Sequence, residues 1–113
     1  MWLSHKTVLT NVTKVILFTQ ETCGACETQR DKNDSLENEY PDVEFREVDI
    51  RTDLETAEEY GVRKTPTTLV SANGEQTAEF IGIVERDELE AAIERATQQS
   101  SGLAQRIVDA VRR

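Results

Sequence analysis

Both cysteines of the chain, Cys23 and Cys26, lie in the segment T-C-G-A-C at residues 22–26, with two residues between them. An apolar run at residues 15–18 precedes the segment, and a long polar stretch that can form a helix begins inside it. A strand, then C-x-x-C, then a helix is typical of a thiol–disulfide redox site. The free N–H groups and the positive dipole end at a helix start stabilise a thiolate there. This segment therefore favours dithiol chemistry.

Cysteines at this spacing also occur without redox activity. They can form an inert disulfide, remain as buried thiols, or supply half of a metal site. A structural zinc site needs four ligands, and the only other Cys or His side chain in the chain is His5. A complete site of Cys and His therefore cannot form within one chain, although two chains could share a metal or an iron–sulfur cluster through Cys23 and Cys26.

The length of the chain limits the number of domains that it can form. The 113 residues predict a single domain over residues 1–113, with a core at residues 14–99. No apolar run approaches the roughly 20 residues of a membrane span, and the N-terminus lacks the features of a signal peptide. With one cysteine pair, we expect a cytoplasmic protein that does not contact membranes, rather than a disulfide-stapled secreted one.

The charge balance narrows the possible partners. The chain has 22 acidic and 13 basic residues, which gives a net charge of −9. Such a surface repels phosphates, so we expect no nucleic acid partner. The same surface suits a high-salt cytoplasm, because the Debye length falls to about 3 Å at 1 M salt and self-repulsion is screened. We therefore expect a halophilic source.

The first half of the chain predicts two strands and two helices. A strand is expected at residues 14–19. Its apolar run at residues 15–18 is continuous rather than alternating, which indicates a central strand buried on both faces. A polar helix is expected at residues 25–40. A strand at residues 43–50 changes its apolar phase near Arg46, which indicates a bulge or an edge position. A capping box that starts at Thr52 opens a short helix, which Gly61 ends.

The second half predicts a hairpin and a helix. Strands at residues 67–71 and 77–81 flank the turn signal Asn73-Gly74. A helix follows at residues 87–99. The order is therefore β-α-β-α-β-β-α, preceded by a shortened N-terminal segment at residues 1–13 and followed by a short amphipathic helix in the tail at residues 100–113. We expect an α/β fold with a mixed four-stranded sheet, in which the first three strands are parallel and the fourth is antiparallel.

Several segments together make the chain resemble the thioredoxin family over residues 15–93. They are the C-G-A-C motif at residues 23–26, the segment Y-G-V-R-K-T-P-T at residues 60–67, the turn N-G-E at residues 73–75, and Gly82. The combination is much more specific than C-x-x-C alone. The resemblance implies a thioredoxin-like fold and an enzyme that reduces protein disulfides, with a role in electron transport and cell redox homeostasis.

The resemblance also implies roles for individual residues. Cys23 corresponds to the exposed attacking thiol and Cys26 to the shielded resolving thiol. Pro66 corresponds to a cis proline packed against the disulfide. The backbone at Thr65 and around Gly82 would line the groove that receives the substrate. The substrate-binding surface would also include the neighbours of the cysteines, which are Thr22, Gly24 and Ala25.

Three positions depart from the usual family pattern. Thr22 stands where thioredoxins usually carry Trp, and Ala25 stands where they usually carry Pro. Leu17 occupies the position of a buried Asp that is thought to help deprotonate the resolving cysteine. In this chain Cys26 must therefore lose its proton by another route.

The resemblance implies a partner set: protein disulfides as substrates, and a thioredoxin reductase or an equivalent thiol donor as the source of electrons. We expect a monomer that needs no cofactor and binds no metal. A glutaredoxin-like thiol transferase is the alternative within the enzymes, but the segment Gly82-Ile83-Val84 lacks the paired glycines of a glutathione site. A metal or iron–sulfur protein that shares its cysteines between chains is the alternative outside them.

Overall fold

The structure, a computed structural model, describes residues 12–98 and shows an α/β fold. Four strands form one sheet: β1 (Thr13–Thr19), β2 (Val43–Asp49), β3 (Thr67–Ala72) and β4 (Glu75–Ile81). The helices are α1 (Gly24–Glu39), α2 (Leu54–Glu59) and α3, which covers residues 86–98 of the described chain. The strand order is β2-β1-β3-β4. Both the four-stranded sheet and the order of elements predicted for these residues are confirmed.

The strand β1 is central, as its continuous apolar run predicted. It pairs with β2 in parallel and with β3 in antiparallel orientation. Its side chains from Val15 to Thr19 are all buried. A strand with neighbours on both edges and cover on both faces has no exposed phase, which is why its sequence does not alternate. The strand carries the chain directly to the cysteine segment.

The prediction of three parallel strands is wrong, because β3 runs antiparallel to β1. The strand β2 ends with Asp49 beside Thr19, and β3 begins with Thr67 beside Phe18. The connection therefore starts and finishes at the same end of the sheet. Its helix α2 has six residues and is about 9 Å long, whereas a return to the far end requires about 23 Å.

The two faces of the sheet carry separate clusters of buried side chains. On one face, the first cluster joins the sheet to α1 and α3; it comprises Val15, Leu36, Val43, Val70, Ala72, Val84, Leu89, Ala92, Ile93 and Ala96. On the other face, the second cluster lies beside α2; it comprises Ile16, Phe18, Val48, Val62 and Leu69. The phase change in β2 arises because Val43 belongs to the first cluster and Val48 to the second.

The position of β2 at the edge of the sheet is confirmed, but the alternative of a bulge in it is wrong. Its pairing with β1 runs without a break from Val43 to Asp49. The irregularity in the described sheet lies instead between β3 and β4, at Val70 and Ser71. An edge strand covered on each face by a different cluster shows the same sequence signature as a bulged one.

The short helix and the hairpin follow the turn chemistry of their sequences. Asp53 caps α2 by accepting the N–H of Thr56 at 3.2 Å, so the cap lies one residue later than the predicted Thr52. Gly61 follows the helix with a φ of 68°, as a C-terminal glycine does. Asn73 and Gly74 have φ values of 54° and 85°, which is the geometry of a type I′ hairpin turn.

Two predicted segments fall wholly or largely outside the described residues. These are the amphipathic tail at residues 100–113 and the shortened N-terminal segment at residues 1–13. Within residues 12–98, no helix is both long and apolar enough to cross a membrane.

Candidate active site

Cys23 and Cys26 lie at the start of α1 and are joined by a disulfide. Cys23 is the N-cap of the helix, and its Sγ accepts the N–H of Cys26 at 3.1 Å. Cys26 lies in the first helical turn and is 1% exposed, whereas Cys23 is partly exposed. The sulfur of Cys23 therefore lies where the helix N–H groups and dipole stabilise negative charge, and the sulfur of Cys26 is shielded.

The residues beside the cysteines are exposed. Thr22 turns the chain into the helix with a φ of 56°. Gly24 and Ala25 separate the two cysteines and face solvent. Because these neighbours are exposed and Cys23 is partly exposed, a large substrate can reach Cys23, whereas Cys26 stays buried.

The cysteines and their neighbours form the first wall of the site, and the loop before β3 forms the second. The peptide bond between Thr65 and Pro66 is cis, as the resemblance implied. Pro66 is buried, and Thr65 is partly exposed. The Oγ1 of Thr65 donates a hydrogen bond to Cys23 Sγ over 3.8 Å. A hydroxyl donor at this distance is placed to stabilise a thiolate on Cys23.

A third wall comes from the loop after β4. The N–H of Gly82 donates to the carbonyl oxygen of Pro66 at 2.8 Å. Gly82 has a φ of 91°, a backbone conformation that a side chain would strain. The fold thus brings together Cys23, Thr65, Pro66 and Gly82, which are far apart in the sequence.

The sequence reasoning missed Gln29, a polar residue of α1 that is 0% exposed. Its Oε1 accepts the N–H of Val84 at 2.8 Å, and its Nε2 donates to Asn33 Oδ1 at 3.0 Å. A signal was present in the sequence, since Cys26, Gln29, Asn33 and Leu36 follow the helical period and all are buried. The inward face of α1 is therefore polar over two turns next to the disulfide.

A charged contact ties α1 to the edge strand. Arg30 donates to both carboxylate oxygens of Glu47, over 2.9 and 2.7 Å, and Thr19 Oγ1 donates to Glu47 at 3.1 Å. The hydrogen bond from Arg30 is the main cause that lowers the pKa of Glu47 below its usual range. The same contact raises the pKa of Arg30. Glu47 is therefore an ionised anchor for the cysteine helix.

Leu17 lies on β1 between two polar neighbours in the sheet. Its partner on β2 is Glu47, and its partner on β3 is Thr68. Leu17 is 2% exposed. Among the buried side-chain polar atoms of the described residues, Thr68 Oγ1 alone has no hydrogen-bond partner.

Acidic residues are numerous, but those that the structure describes do not gather into a metal site. Within residues 12–98, no group of three or more His, Cys, Asp or Glu side chains has the geometry to hold a metal ion.

The sequence of this chain is similar to that of known proteins over most of its length. The family model Thioredoxin matches residues 4–95. Thioredoxin H2-1 of Oryza sativa is 29% identical over 106 residues, which cover 92% of this chain and 73% of the rice protein. Thioredoxin H8 of Arabidopsis thaliana is 32% identical over 99 residues, which cover 86% of this chain and 66% of that protein.

A solved structure gives the same result. A variant thioredoxin from Halobacterium salinarum superimposes with a TM-score of 0.70 and 30% identity, over 75% of this chain and 74% of that one. These comparisons do not favour the glutaredoxin-like or the cluster-binding alternative. With its C-x-x-C disulfide at a helix start, the chain belongs to the thioredoxin family and is, like the members of that family, a thiol–disulfide oxidoreductase.

Proposed function

We propose that the chain reduces disulfide bonds of proteins, with Cys23 as the attacking thiol and Cys26 as the resolving thiol. The observation that supports these roles is the contrast in burial. Cys23 is partly exposed at the N-cap of α1, whereas Cys26 is 1% exposed. A target sulfur can approach only the former without rearrangement of the helix.

The exchange takes place in two steps. The Cys23 thiolate attacks one sulfur of the target disulfide, which breaks the target S–S bond, forms a mixed disulfide and releases one target thiolate. Deprotonated Cys26 then attacks Cys23 Sγ, which forms the Cys23–Cys26 bond and releases the second target thiolate. Two electrons pass to the target, and solvent protons complete its thiols. The Thr65 hydroxyl, 3.8 Å from Cys23 Sγ, stabilises the thiolate of the first step.

Binding of the target follows from the walls of the site. We propose that Thr22, Gly24 and Ala25 contact the target beside the disulfide, and that Thr65, Pro66 and Gly82 form the groove opposite them. The hydrogen bond from Gly82 N–H to Pro66 O, 2.8 Å long, supports a continuous surface on that side.

Trapping tests the roles of the two cysteines. We expect Cys26→Ser to accumulate a mixed disulfide with oxidised insulin, and Cys23→Ser to accumulate none. In the reduced protein, iodoacetamide is expected to label Cys23 first, as mapped by mass spectrometry. Faster labelling of Cys26, or trapping only by Cys23→Ser, would reverse the assignment.

Partners and setting are also proposals. We propose that electrons come from a thioredoxin reductase or an equivalent thiol donor, and that the protein acts as a cytoplasmic monomer. A coupled assay with NADPH and a purified reductase tests the donor, and sedimentation tests the oligomeric state. Failure of every reductase alongside full activity with dithiothreitol would point to another thiol donor.

We further propose a high-salt environment, on the basis of the net charge of −9. One structural neighbour is named for Halobacterium salinarum, which is consistent with this setting. Screening relieves carboxylate repulsion, so the unfolding midpoint is expected to rise markedly between dilute buffer and molar KCl. A flat response would remove the halophilic proposal and leave the redox proposal unchanged.

A further inference from the structure

We propose that Gln29 is a positioning residue for polypeptide substrates, and that its buried amide holds the loop at residues 82–84 in place beside the disulfide. This inference rests on the proposed reduction of protein disulfides at Cys23. It adds a residue whose side-chain hydrogen bonds go to Asn33 and Val84 rather than to a sulfur, and which acts through the substrate-facing loop.

The environment of Gln29 fixes the orientation of its amide. The side chain is 0% exposed, and a buried amide is costly unless its hydrogen bonds are made. Only an oxygen can accept the N–H of Val84, so Oε1 lies on that side, at 2.8 Å. Nε2 donates to Oδ1 of Asn33, which is 6% exposed, at 3.0 Å. Asn33 therefore holds Gln29, and Gln29 holds Val84.

The backbone of the loop has two hydrogen bonds to the rest of the described structure, and the side chain of Val84 is buried in the first cluster. Residues 82–84 belong to neither a strand nor a helix. At one end, the N–H of Gly82 donates to Pro66 O at 2.8 Å. At the other end, the N–H of Val84 binds Gln29. Ile83 lies between these two contacts and is 46% exposed.

These contacts close a ring around the site. The Thr65 hydroxyl donates to Cys23 Sγ, and the carbonyl oxygen of Pro66 accepts the N–H of Gly82. At the other end of the loop, the N–H of Val84 donates to Gln29. Gln29 lies on α1, less than one turn beyond Cys26. The helix that carries the cysteines thus sets the position of the opposite wall of the groove. Without the amide, the loop would keep the Gly82 hydrogen bond and the buried side chain of Val84, but the backbone at Val84 would lose its hydrogen bond to α1.

Loss of the Gln29 contact is expected to affect large substrates more than small ones. A polypeptide that presents its disulfide to Cys23 must also lie against Gly82 and the exposed side chains of Ile81 and Ile83, which are 65% and 46% exposed. A small disulfide reaches Cys23 without touching this loop. A displaced loop should therefore weaken the binding of polypeptides and leave thiol chemistry unchanged.

The test compares two substrates of one enzyme. Insulin is reduced with dithiothreitol as the electron donor. Dithiobis(nitrobenzoate) is reduced in a single turnover by the pre-reduced protein after the donor has been removed, because dithiothreitol itself reduces this reagent. The variant Gln29→Met keeps the length of the side chain and removes both hydrogen bonds. We expect its KM for oxidised insulin to rise about fivefold to tenfold, the effect of losing the one hydrogen bond that holds the loop at Val84, with kcat nearly unchanged. Reduction of dithiobis(nitrobenzoate) should stay within about twofold, because Cys23 remains in place.

Two further variants keep the test informative if Gln29→Met folds poorly. Asn33→Leu leaves the Gln29 oxygen but removes its support, and should raise the same KM less. Gln29→Glu keeps an acceptor for Val84 and should restore most of the affinity that Met loses. Leu36→Met alters the same buried face of α1 away from the loop, and serves as the control for general loosening of the helix.

Hydrogen exchange at the Val84 amide gives a readout that does not depend on activity. Exchange should accelerate in Gln29→Met and remain slow in Leu36→Met. Unchanged exchange, or accelerated exchange with an unchanged KM for insulin, would overturn the inference. An equal loss on both substrates would also overturn it, because Gln29 would then act on the thiols. If the unmodified protein reduced only the small disulfide, the proposed function would fail before the variants were compared.

Discussion

Leu17 and Thr68 face each other across the antiparallel pair of β1 and β3, and both side chains are buried. The pair puts an aliphatic side chain beside a hydroxyl that has no partner. Directly opposite residues in such a pair have Cβ atoms about 5 Å apart, so a polar group at position 17 would lie within reach of the Thr68 hydroxyl.

The variant Leu17→Asp should lower stability, because it buries an ionisable group. It should also speed resolution of the mixed disulfide near neutral pH, because thioredoxins usually carry a buried Asp at this position that is thought to help deprotonate the resolving cysteine. Burial raises the pKa of the introduced carboxyl, so the loss of about 2–4 kcal/mol is expected to grow as pH rises. Denaturant unfolding at pH 4 and pH 7 measures the first effect. Stopped-flow resolution of a preformed Cys23 mixed disulfide measures the second.

Adding Thr68→Val to Leu17→Asp is the control, because it removes the hydroxyl that can bind the carboxyl. The double variant should be less stable than the sum of the two single changes implies. A resolution rate in the unmodified protein that already reaches a plateau by neutral pH would show that another base serves Cys26, and would contradict the expected acceleration.

The contact between Arg30 and Glu47 predicts an acid-sensitive contribution to stability. Hydrogen bonds from Arg30 lower the pKa of Glu47 in the folded protein. The contribution of the contact to the free energy of unfolding is therefore complete above the pKa of an unperturbed Glu, about 4.3, and disappears as pH falls through the lower pKa of the folded state. Both side chains are about 40% exposed, so Glu47→Gln should cost only about 0.5–1 kcal/mol at pH 7.

Urea unfolding at pH 7 and at pH 3 measures this difference. The matched control is Glu44→Gln, an exposed carboxyl of the same strand. A loss from Glu47→Gln that is equally large at pH 3 would show that the contribution does not depend on the charge of Glu47.

Tyr40 predicts the opposite pH dependence. Its hydroxyl donates to Glu94 at 2.7 Å and to Glu90 at 3.1 Å. The hydrogen bond to Glu94, then burial, raise the pKa of Tyr40 well above its usual range. The contribution of the Tyr40 hydroxyl to stability is therefore complete below about pH 10, the pKa of an unperturbed Tyr. It is lost as pH rises toward the higher pKa of the folded state.

The variant Tyr40→Phe should lose about 1 kcal/mol at pH 7, and its deficit should narrow above pH 10. Thermal unfolding as a function of pH measures both effects. Tyr60→Phe is the control, since the described contact of that ring is its packing against Phe18, with the ring centroids 5.7 Å apart. An equal deficit in the two variants would mean that the Tyr40 hydroxyl contributes little.

Thr65 predicts a measurable effect on the nucleophile. Its hydroxyl lies 3.8 Å from Cys23 Sγ, and donors to a thiolate lower the pKa of the thiol. In the reduced protein, Thr65→Val should raise the apparent pKa of Cys23, read from the pH dependence of iodoacetamide labelling. The control is Thr77→Val. The hydroxyl of Thr77 donates to the carbonyl oxygen of Val70, so its removal should leave the pKa of Cys23 unchanged.

What the sequence could predict was decided by local patterns. The run at residues 15–18, the C-x-x-C segment and the Asn73-Gly74 turn each specify one local structure, and each was predicted correctly. The direction of β3 depends on how far a helix carries the chain back along the sheet, and that distance is not encoded in periodicity. The cap at Asp53 was missed because Thr52 and Asp53 are both good N-caps.

The site was predictable only in part for a related reason. Motif spacing predicted Cys23 and Cys26 as site residues, and resemblance predicted Thr65, Pro66 and Gly82. The fold brings these residues together, and their roles stay predictions. Gln29 was missed because it is a polar residue in a polar helix. Its helical spacing from Cys26 and Leu36 was the one indication of a buried face, and its partner, Val84, comes beside it only in the fold.

The separation of the two clusters by the sheet has a consequence for combined mutations. Val15 and Ile16 are adjacent in the chain, yet they belong to different clusters, whereas Val15 and the distant Ile93 belong to the same one. Side chains without shared partners contribute additively to stability, and those in contact do not. Epistasis in this protein will therefore follow the faces of the sheet, so that neighbours in the sequence vary independently while residues at opposite ends of the chain constrain each other.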